Sequence, residues 1–384
     1  MVLEAVLGRP PASTAGDMVH RRGKGVVWSR GRPMRLVQRE RIAMRMLRLL
    51  LIPIVAIALT IPISADAREA KVTIGKVIGG DGFHLPSYVA LEKGFFEAEG
   101  LDASLIELDP KTQVTAVLSG NLDCAPIPSG GAQAALSGAK ITYIVGQSLK
   151  SQWTIVTRKG INSPEDLKGR TFGYGQPGSS DHDELEAVLH RFFHMDAGKD
   201  YKIIAFQGQP ERIAALVNDN IQAAGLTVPH AAVAAQVGLK VLLRTGDFIP
   251  RAGGTIWCSA DFVQKNPETV KKIIRAIAKA VMYFRDNKQG SIAALRHHIG
   301  SIKSDEEAGL IWDEVHNTFG AELPPDLFRE IFESRRLTMI AARQWPQDKP
   351  LPDPEQFLAR NLLDPTLKDM GYVPANIEAP NVGK

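Results

Sequence analysis

Lys71–Gly100 reads KVTIGKVIGGDGFHLPSYVALEKGFFEAEG, and the fold turns on these thirty residues. The first half alternates, with Val72, Ile74 and Lys76 on one side of a pleat and Thr73, Gly75 and Val77 on the other. A period of two in β-favouring residues predicts a strand over Val72–Ile78, buried on at least one face. Gly79-Gly80-Asp81-Gly82 breaks the alternation, and Pro86 sits where the first turn of a helix accepts proline. Tyr88, Leu91 and Phe95 then recur at helical spacing until Gly100 stops the helix. A strand that feeds a helix through a glycine loop leaves backbone N–H groups free and aimed into a crevice. Any α/β domain contains such units, so the stretch nominates a ligand site without proving one.

Outward from this unit the pattern repeats. Strands are predicted at Ala103–Leu108, Leu122–Pro126, Ile141–Val145 and Trp153–Thr157, with helices over Gln113–Leu118 and from Ser129 to Leu136. This β-α alternation is the signature of a doubly wound sheet. A capped turn at Ser163-Pro164-Glu165-Asp166-Leu167 opens a second round. Its strands are Arg170–Tyr174, Lys202–Phe206, Gln222–Leu226 and Lys240–Arg244. Pro250-Arg251-Ala252-Gly253-Gly254 reads as a return crossing, and Thr255–Ser259 as a strand of the first lobe. From Pro267 onward the chain is mostly helical, including Glu268–Arg285, Pro325–Ala341 and a helix near Pro354–Leu362. The expected fold class is therefore α/β: two doubly wound lobes joined by a two-crossing hinge, with a helical C-terminal region. Lobe I is expected at 68–157 plus 251–372, lobe II at 158–250, and a flexible tail at 373–384.

The 384 residues suffice for two domains with cores of their own. A formal charge of +4 suggests a nucleic-acid partner only at first sight. Residues 1–67 hold 11 Lys or Arg against 4 Asp or Glu, so the remainder is net acidic and no nucleic-acid partner is expected. The basic excess belongs to a targeting segment: Arg45 and Arg48 precede the apolar run Leu49–Ile63, which ends in Ala65-Asp66-Ala67. That run is interrupted by Pro53 and Pro62 and is short for a spanning helix. Export to a periplasm with cleavage after Ala67 is expected, without a lipid anchor, because the residue directly after the cut is Arg68 and not cysteine. Met44 or Met46 would make a conventional start, leaving 1–43 as an upstream extension. Cys124 and Cys258 are the only cysteines. Two cysteines are no disulfide framework, and two separate buried thiols are expected.

Several phrases carry a family resemblance: Glu92-Lys93-Gly94-Phe95-Phe96 with Glu99-Gly100-Leu101, Leu118-Ser119-Gly120-Asn121-Leu122-Asp123, Asp166-Leu167-Lys168-Gly169-Arg170, and Asp261-Phe262-Val263 before Asn266-Pro267-Glu268. In this order they resemble the solute-binding proteins of ABC importers, in the aliphatic-sulfonate, nitrate and taurine group of the type 2 periplasmic-binding fold. The resemblance spans the mature chain and implies a monomeric, non-enzymatic receptor that delivers a small molecule to a membrane permease. Thr227-Val228-Pro229 departs from it, lacking the aromatic residue and carboxylate that sulfonate binders tend to carry there.

Sharper motifs fail on context. Gly173–Gly178 spells G-x-G-x-x-G, but Gln207 stands where a dinucleotide site needs an acid for the ribose. His190 and His194 have zinc-helix spacing without the glutamate base, and His297-His298 and His316 have no ligand spacing. Ser180, Asp181 and His182 are neighbours in sequence, whereas a hydrolytic triad is assembled in space. No cofactor, metal or catalytic residue is expected.

The expected ligand-binding set is Asp81, Phe83, His84 and Ser87 from the first loop, and Ser129, Gly130 and Gly131 from the second. Gly178, Ser179, Ser180 and His182 face them, with Thr227 and Val228 behind. None is Lys or Arg, so a small organic anion would rest on hydroxyls and helix N-termini. The rivals are a cleft-closing hydrolase or transferase and a binder of a neutral or pyrimidine-like thiamine precursor.

Overall fold

The computed structural model describes residues 69–177 and 179–377. Residues 1–68, with the targeting run and cleavage motif, lie outside the described residues. Among the described residues ten strands run β1 (Ala70–Lys76), β2 (Leu101–Glu107), β3 (Cys124–Ala125), β4 (Ile141–Ser148), β5 (Trp153–Thr157), β6 (Thr171–Tyr174), β7 (Lys202–Ala205), β8 (Ala223–Thr227), β9 (Lys240–Arg244) and β10 (Gly254–Ser259). They form two five-stranded sheets, ordered β2-β1-β3-β10-β4 and β7-β6-β8-β5-β9. In each sheet the first three strands run parallel and the fourth antiparallel to its neighbours. The lobes thus share one topology, and each takes its antiparallel strand from a chain crossing.

That exchange corrects the expected boundary. Trp153–Thr157 belongs to the second sheet, where Trp153 pairs with Thr227 and Thr154 with Arg244. The chain therefore leaves the first sheet before Trp153, earlier than the expected 157. A buried strand reads alike in either sheet, because periodicity reports burial and not the neighbouring strand.

The opening unit also differs in detail. Strand β1 ends at Lys76, since a turn closes from Gly80 N–H to Val77 O at 3.1 Å, with Gly79 and Gly80 at φ 80° and 79°. The expected single helix to Gly100 is two, Leu85–Glu92 and Phe95–Ala98, broken where Gly94 takes the left-handed φ of 66°. Near the C-terminus, the expected helix at Pro354–Leu362 is a 3-10 turn over Pro354–Phe357 followed by a helix over Arg360–Asp369. The start of the tail is anchored: Arg285 donates to Val373 O and Ala375 N–H donates to Glu322, both at 2.9 Å.

The long helix Pro267–Asp286 covers lobe I. Its Ile273, Ile274, Ile277, Val281 and Phe284 recur at helical spacing and are fully buried. Its basic face is not merely solvated, because Arg275 and Lys279 both reach Glu99 at 2.6 Å. Beneath it, Cys124 and Cys258 form a disulfide, against the expectation of two thiols. The sheet order sets β10 beside β3 with these residues directly opposite, Cα to Cα 4.2 Å, a closeness typical of an antiparallel pair without ladder hydrogen bonds. Among the described residues no helix is long and apolar enough to cross a membrane.

Candidate functional site

The parallel strands of both lobes point their carboxyl ends at one cleft, the position where open α/β sheets present loops and helix N-termini. A cavity lies there, lined from lobe I by Asp81, Phe83 and His84 and from lobe II by Trp153, Ser179, Ser180, Asp181, Gln209 and Arg212. The free volume is small, about 40 Å³ for the centre of a water-sized sphere, room for roughly three waters at ~10–15 Å³ each. The lobes are in contact around it. Phe83 crosses from lobe I into the lobe II core, its ring centroid 5.4 Å from that of Trp153. A Cβ on Gly82 would come within 2.6 Å of Gln152 Oε1 and 2.8 Å of Pro229 Cδ, so glycine permits this approach.

Charge in the cavity is arranged in pairs. The Arg212 guanidinium donates to Asp181 Oδ2 and to Gly225 O, both at 2.6 Å, and lies 6.0 Å over the Trp153 ring. Gly175 N–H donates to the same Asp181 oxygen at 2.7 Å. Asp81 caps its own turn by accepting from Phe83 N–H at 2.7 Å, and its N–H donates to Tyr88 Oη at 3.1 Å. Burial raises the Asp81 carboxyl to about 7, against the pull of the Phe83 N–H. The His84 and His230 imidazoles are lowered by burial to about 3 and so are neutral at pH 7. Trp153 Nε1, Ser179 Oγ, Ser180 Oγ and Arg212 Nε are buried without a hydrogen-bond partner, so most of the free groups in the lining can donate; the neutral His84 leaves Nδ1 unpartnered beside them. Ser179 occupies the N-cap of helix Ser180–Phe193 yet makes no side-chain cap bond, so its hydroxyl remains free for a ligand.

Of the expected set, Asp81, Phe83, His84, Ser179 and Ser180 line the cavity. The others lie behind its wall or outside the described residues, as Gly178 does. Ser87 donates to Gln147 at 2.7 Å, and Ser129 accepts from Arg251 at 2.6 Å. Gly130 faces Val114, and Gly131 faces Tyr143 and Trp257. His182 pairs with Glu186 at 3.2 Å. Thr227 donates to Gln209 at 3.1 Å, and Val228 packs into the lobe I core. The expectation of a lining without Lys or Arg is corrected by Arg212. Sequence reasoning missed Trp153, Gln209 and Arg212. Gln209 and Arg212 stand at the junction of β7 with its helix, the same strand-to-helix signal that nominated the first loop. Trp153 was hidden by the misassigned strand.

The lobes are also tied beside the cavity. Helix Ser180–Phe193 of lobe II offers Asp183 to Arg335 at 2.7 Å, Glu184 to Arg251 at 2.5 Å, and Arg191 to Glu330 at 2.7 Å. Arg251 sits on the second crossing, and Arg335 and Glu330 on helix Pro325–Ala341. Arg251 stays protonated at pH 7, although burial lowers it to about 10.

The elevated Asp81 carboxyl has a measurable consequence. The folded chain holds this proton up to about pH 7, while an unfolded aspartate releases it near 3.8. Stability therefore falls as pH rises through that window. Asp81→Asn, which keeps the acceptor for Phe83 N–H, should raise the unfolding free energy at pH 8 by about 1–4 kcal/mol, with the gain vanishing towards pH 4. Urea midpoints measured across pH test this; parallel curves for the two proteins would refute it.

Two like-wound lobes closing on a buried cavity define the periplasmic-binding class of fold. The chain belongs to the NMT1/THI5-like family, whose profile matches residues 82–290. A protein of Brucella abortus named as a binding protein is 28% identical over 62% of this chain and 74% of its own length. A Saccharomyces cerevisiae protein named 4-amino-5-hydroxymethyl-2-methylpyrimidine phosphate synthase is 26% identical over 52% of this chain and 63% of its own. Among solved structures, the periplasmic aliphatic sulphonate binding protein SsuA of Escherichia coli superposes with a TM-score of 0.62 at 18% identity, over 77% of this chain and 99% of that one.

Proposed function

We propose that this chain is the exported solute receptor of an ABC importer, closing its two lobes on a small organic anion such as a sulfonate and delivering it to a membrane permease. The observation that carries the reading is the cluster of buried, unpartnered donors around a helix N-terminus, in a cavity lined by both lobes. The two carboxylates do not oppose an anion. Asp181 is neutralised by Arg212, and Asp81 keeps its proton through much of the range below pH 7. An anion with an organic body would set its oxygens on Ser179, Ser180, Trp153 and Arg212 and its body against Phe83. Ligand contacts to both lobes favour the closed state by as much as they differ between open and closed. The disulfide agrees with an oxidising, periplasmic location.

A second reading has its own support. A protonated Asp81 beside aromatic rings can also donate to a flat neutral heterocycle, which suits a pyrimidine-like thiamine precursor. Calorimetric titration with alkanesulfonates, taurine, nitrate and aminopyrimidines separates the two. Under the anion reading, Ser179→Ala combined with Ser180→Ala should weaken sulfonate binding at least tenfold, one charge-assisted bond's worth at about 1.5–3 kcal/mol. Lys240→Ala, on the exposed end of β9, should change nothing. Saturable binding of pyrimidines alone would overturn the anion, and turnover of a bound compound would overturn the receptor.

A further inference from the structure

In lobe I, behind the Gly79–Asp81 loop, two helices end together. Helix Leu85–Glu92 finishes at Glu92, and helix Lys288–His298 finishes at His297 and His298. Glu92, His297 and His298 each offer one ligand atom, and these three atoms lie within 4.8 Å of one another. His298 Nε2 is 3.2 Å from Glu92 Oε1, and His297 Nδ1 meets the same oxygen. The geometry points to a site for one divalent transition metal of the zinc class, held by these three side chains with a water completing the shell.

Three observations carry this. First, His298 is only 8% exposed, and its Nε2 has no hydrogen-bond partner although it faces the carboxylate. Its ring is already fixed by stacking on Tyr88, centroids 4.6 Å apart, which aims that nitrogen at Glu92. Second, the ligand types suit zinc: bonds of roughly 2.0–2.2 Å to imidazole and carboxylate place neighbouring ligand atoms about 3.3 Å apart in a tetrahedron. The His298–Glu92 spacing meets this unchanged. His297 must draw back from Glu92, and it is 72% exposed and free to turn. Third, both helices direct their C-terminal, negative ends at the site, which favours a cation. Lys76 is the opposing charge nearby, and Glu107 offsets it at 3.4 Å. The sequence concealed this site because adjacent histidines lack ligand spacing, and the third ligand lies 205 positions away.

The test is calorimetric titration of zinc chloride into the full chain, purified without a histidine tag and stripped with chelator. Cobalt(II) absorption serves as a second readout of the ligand set. One zinc per chain is expected. Glu92→Gln and His297→Ala, both at accessible positions, should each weaken it at least about tenfold and alter the cobalt spectrum. His190→Ala, which removes an exposed histidine paired with Asp196 elsewhere, should leave both unchanged. Circular dichroism confirms that each variant is folded. The proposal is overturned if the chain binds no stoichiometric zinc, or if folded Glu92→Gln and His297→Ala bind it as tightly as the parent.

Discussion

Replacing Arg251 with methionine is expected to lower the unfolding free energy by about 3–5 kcal/mol, the effect of stranding one member of a buried ion pair. Both side chains of the Arg251–Glu184 pair are fully buried, with nitrogen and oxygen 2.5 Å apart. The same guanidinium donates to Ser129 Oγ at 2.6 Å and to Ser180 O at 3.3 Å, so it joins the opening of a lobe II helix to a lobe I helix. Without it, Glu184 keeps its bonds from Ser151 and, at 3.2 Å, from Thr245, but loses its cation in a site closed to water. Most of the loss comes from holding an unpaired carboxylate away from water, since the pair itself roughly breaks even against apolar residues of similar volume. Adding Glu184→Met to the Arg251→Met variant should therefore restore much of the stability. Urea denaturation of the single and double variants measures this. A loss below about 1 kcal/mol in the single variant would mean that the pair does not stand in solution.

The second large effect concerns the bridge between β3 and β10. Cys124 and Cys258 are 134 positions apart. A cross-link over so long a loop removes much chain entropy from the unfolded state, approaching about 5 kcal/mol in the loop-closure treatment and in practice roughly 2–5 kcal/mol. The double variant Cys124→Ala, Cys258→Ala should unfold at correspondingly lower denaturant. The parent in strong reductant should fall to nearly the same midpoint, and the variant should ignore the reductant. Equal midpoints for parent and variant under oxidising conditions would show that the cysteines do not pair. The bridge also fixes β10, the strand that returns from lobe II, against the central strand β3, after which the Ile127–Pro128 wall of the cavity follows in the chain.

The α/β class, the number of lobes, the return crossing near Arg251 and the glycine loop at Asp81–His84 were all legible in the sequence, because each rests on local signals. Period-two alternation, proline at a helix start and glycine at a positive φ act within a few residues and survive in any surroundings. Ser179 and Ser180 were legible for the same reason, as a loop that opens a helix. Whatever depends on neighbours distant in sequence emerged only on folding. The sheet order put Trp153 in lobe II and set Cys258 opposite Cys124. Folding brought Arg212 onto Asp181 from 31 positions away and Glu92 to His297 from 205 positions away. Burial then changed the chemistry of Asp81, whose proton affinity follows from desolvation and not from residue type. Strand pairing, ion pairing and desolvation are set by proximity in space, which local sequence patterns do not encode.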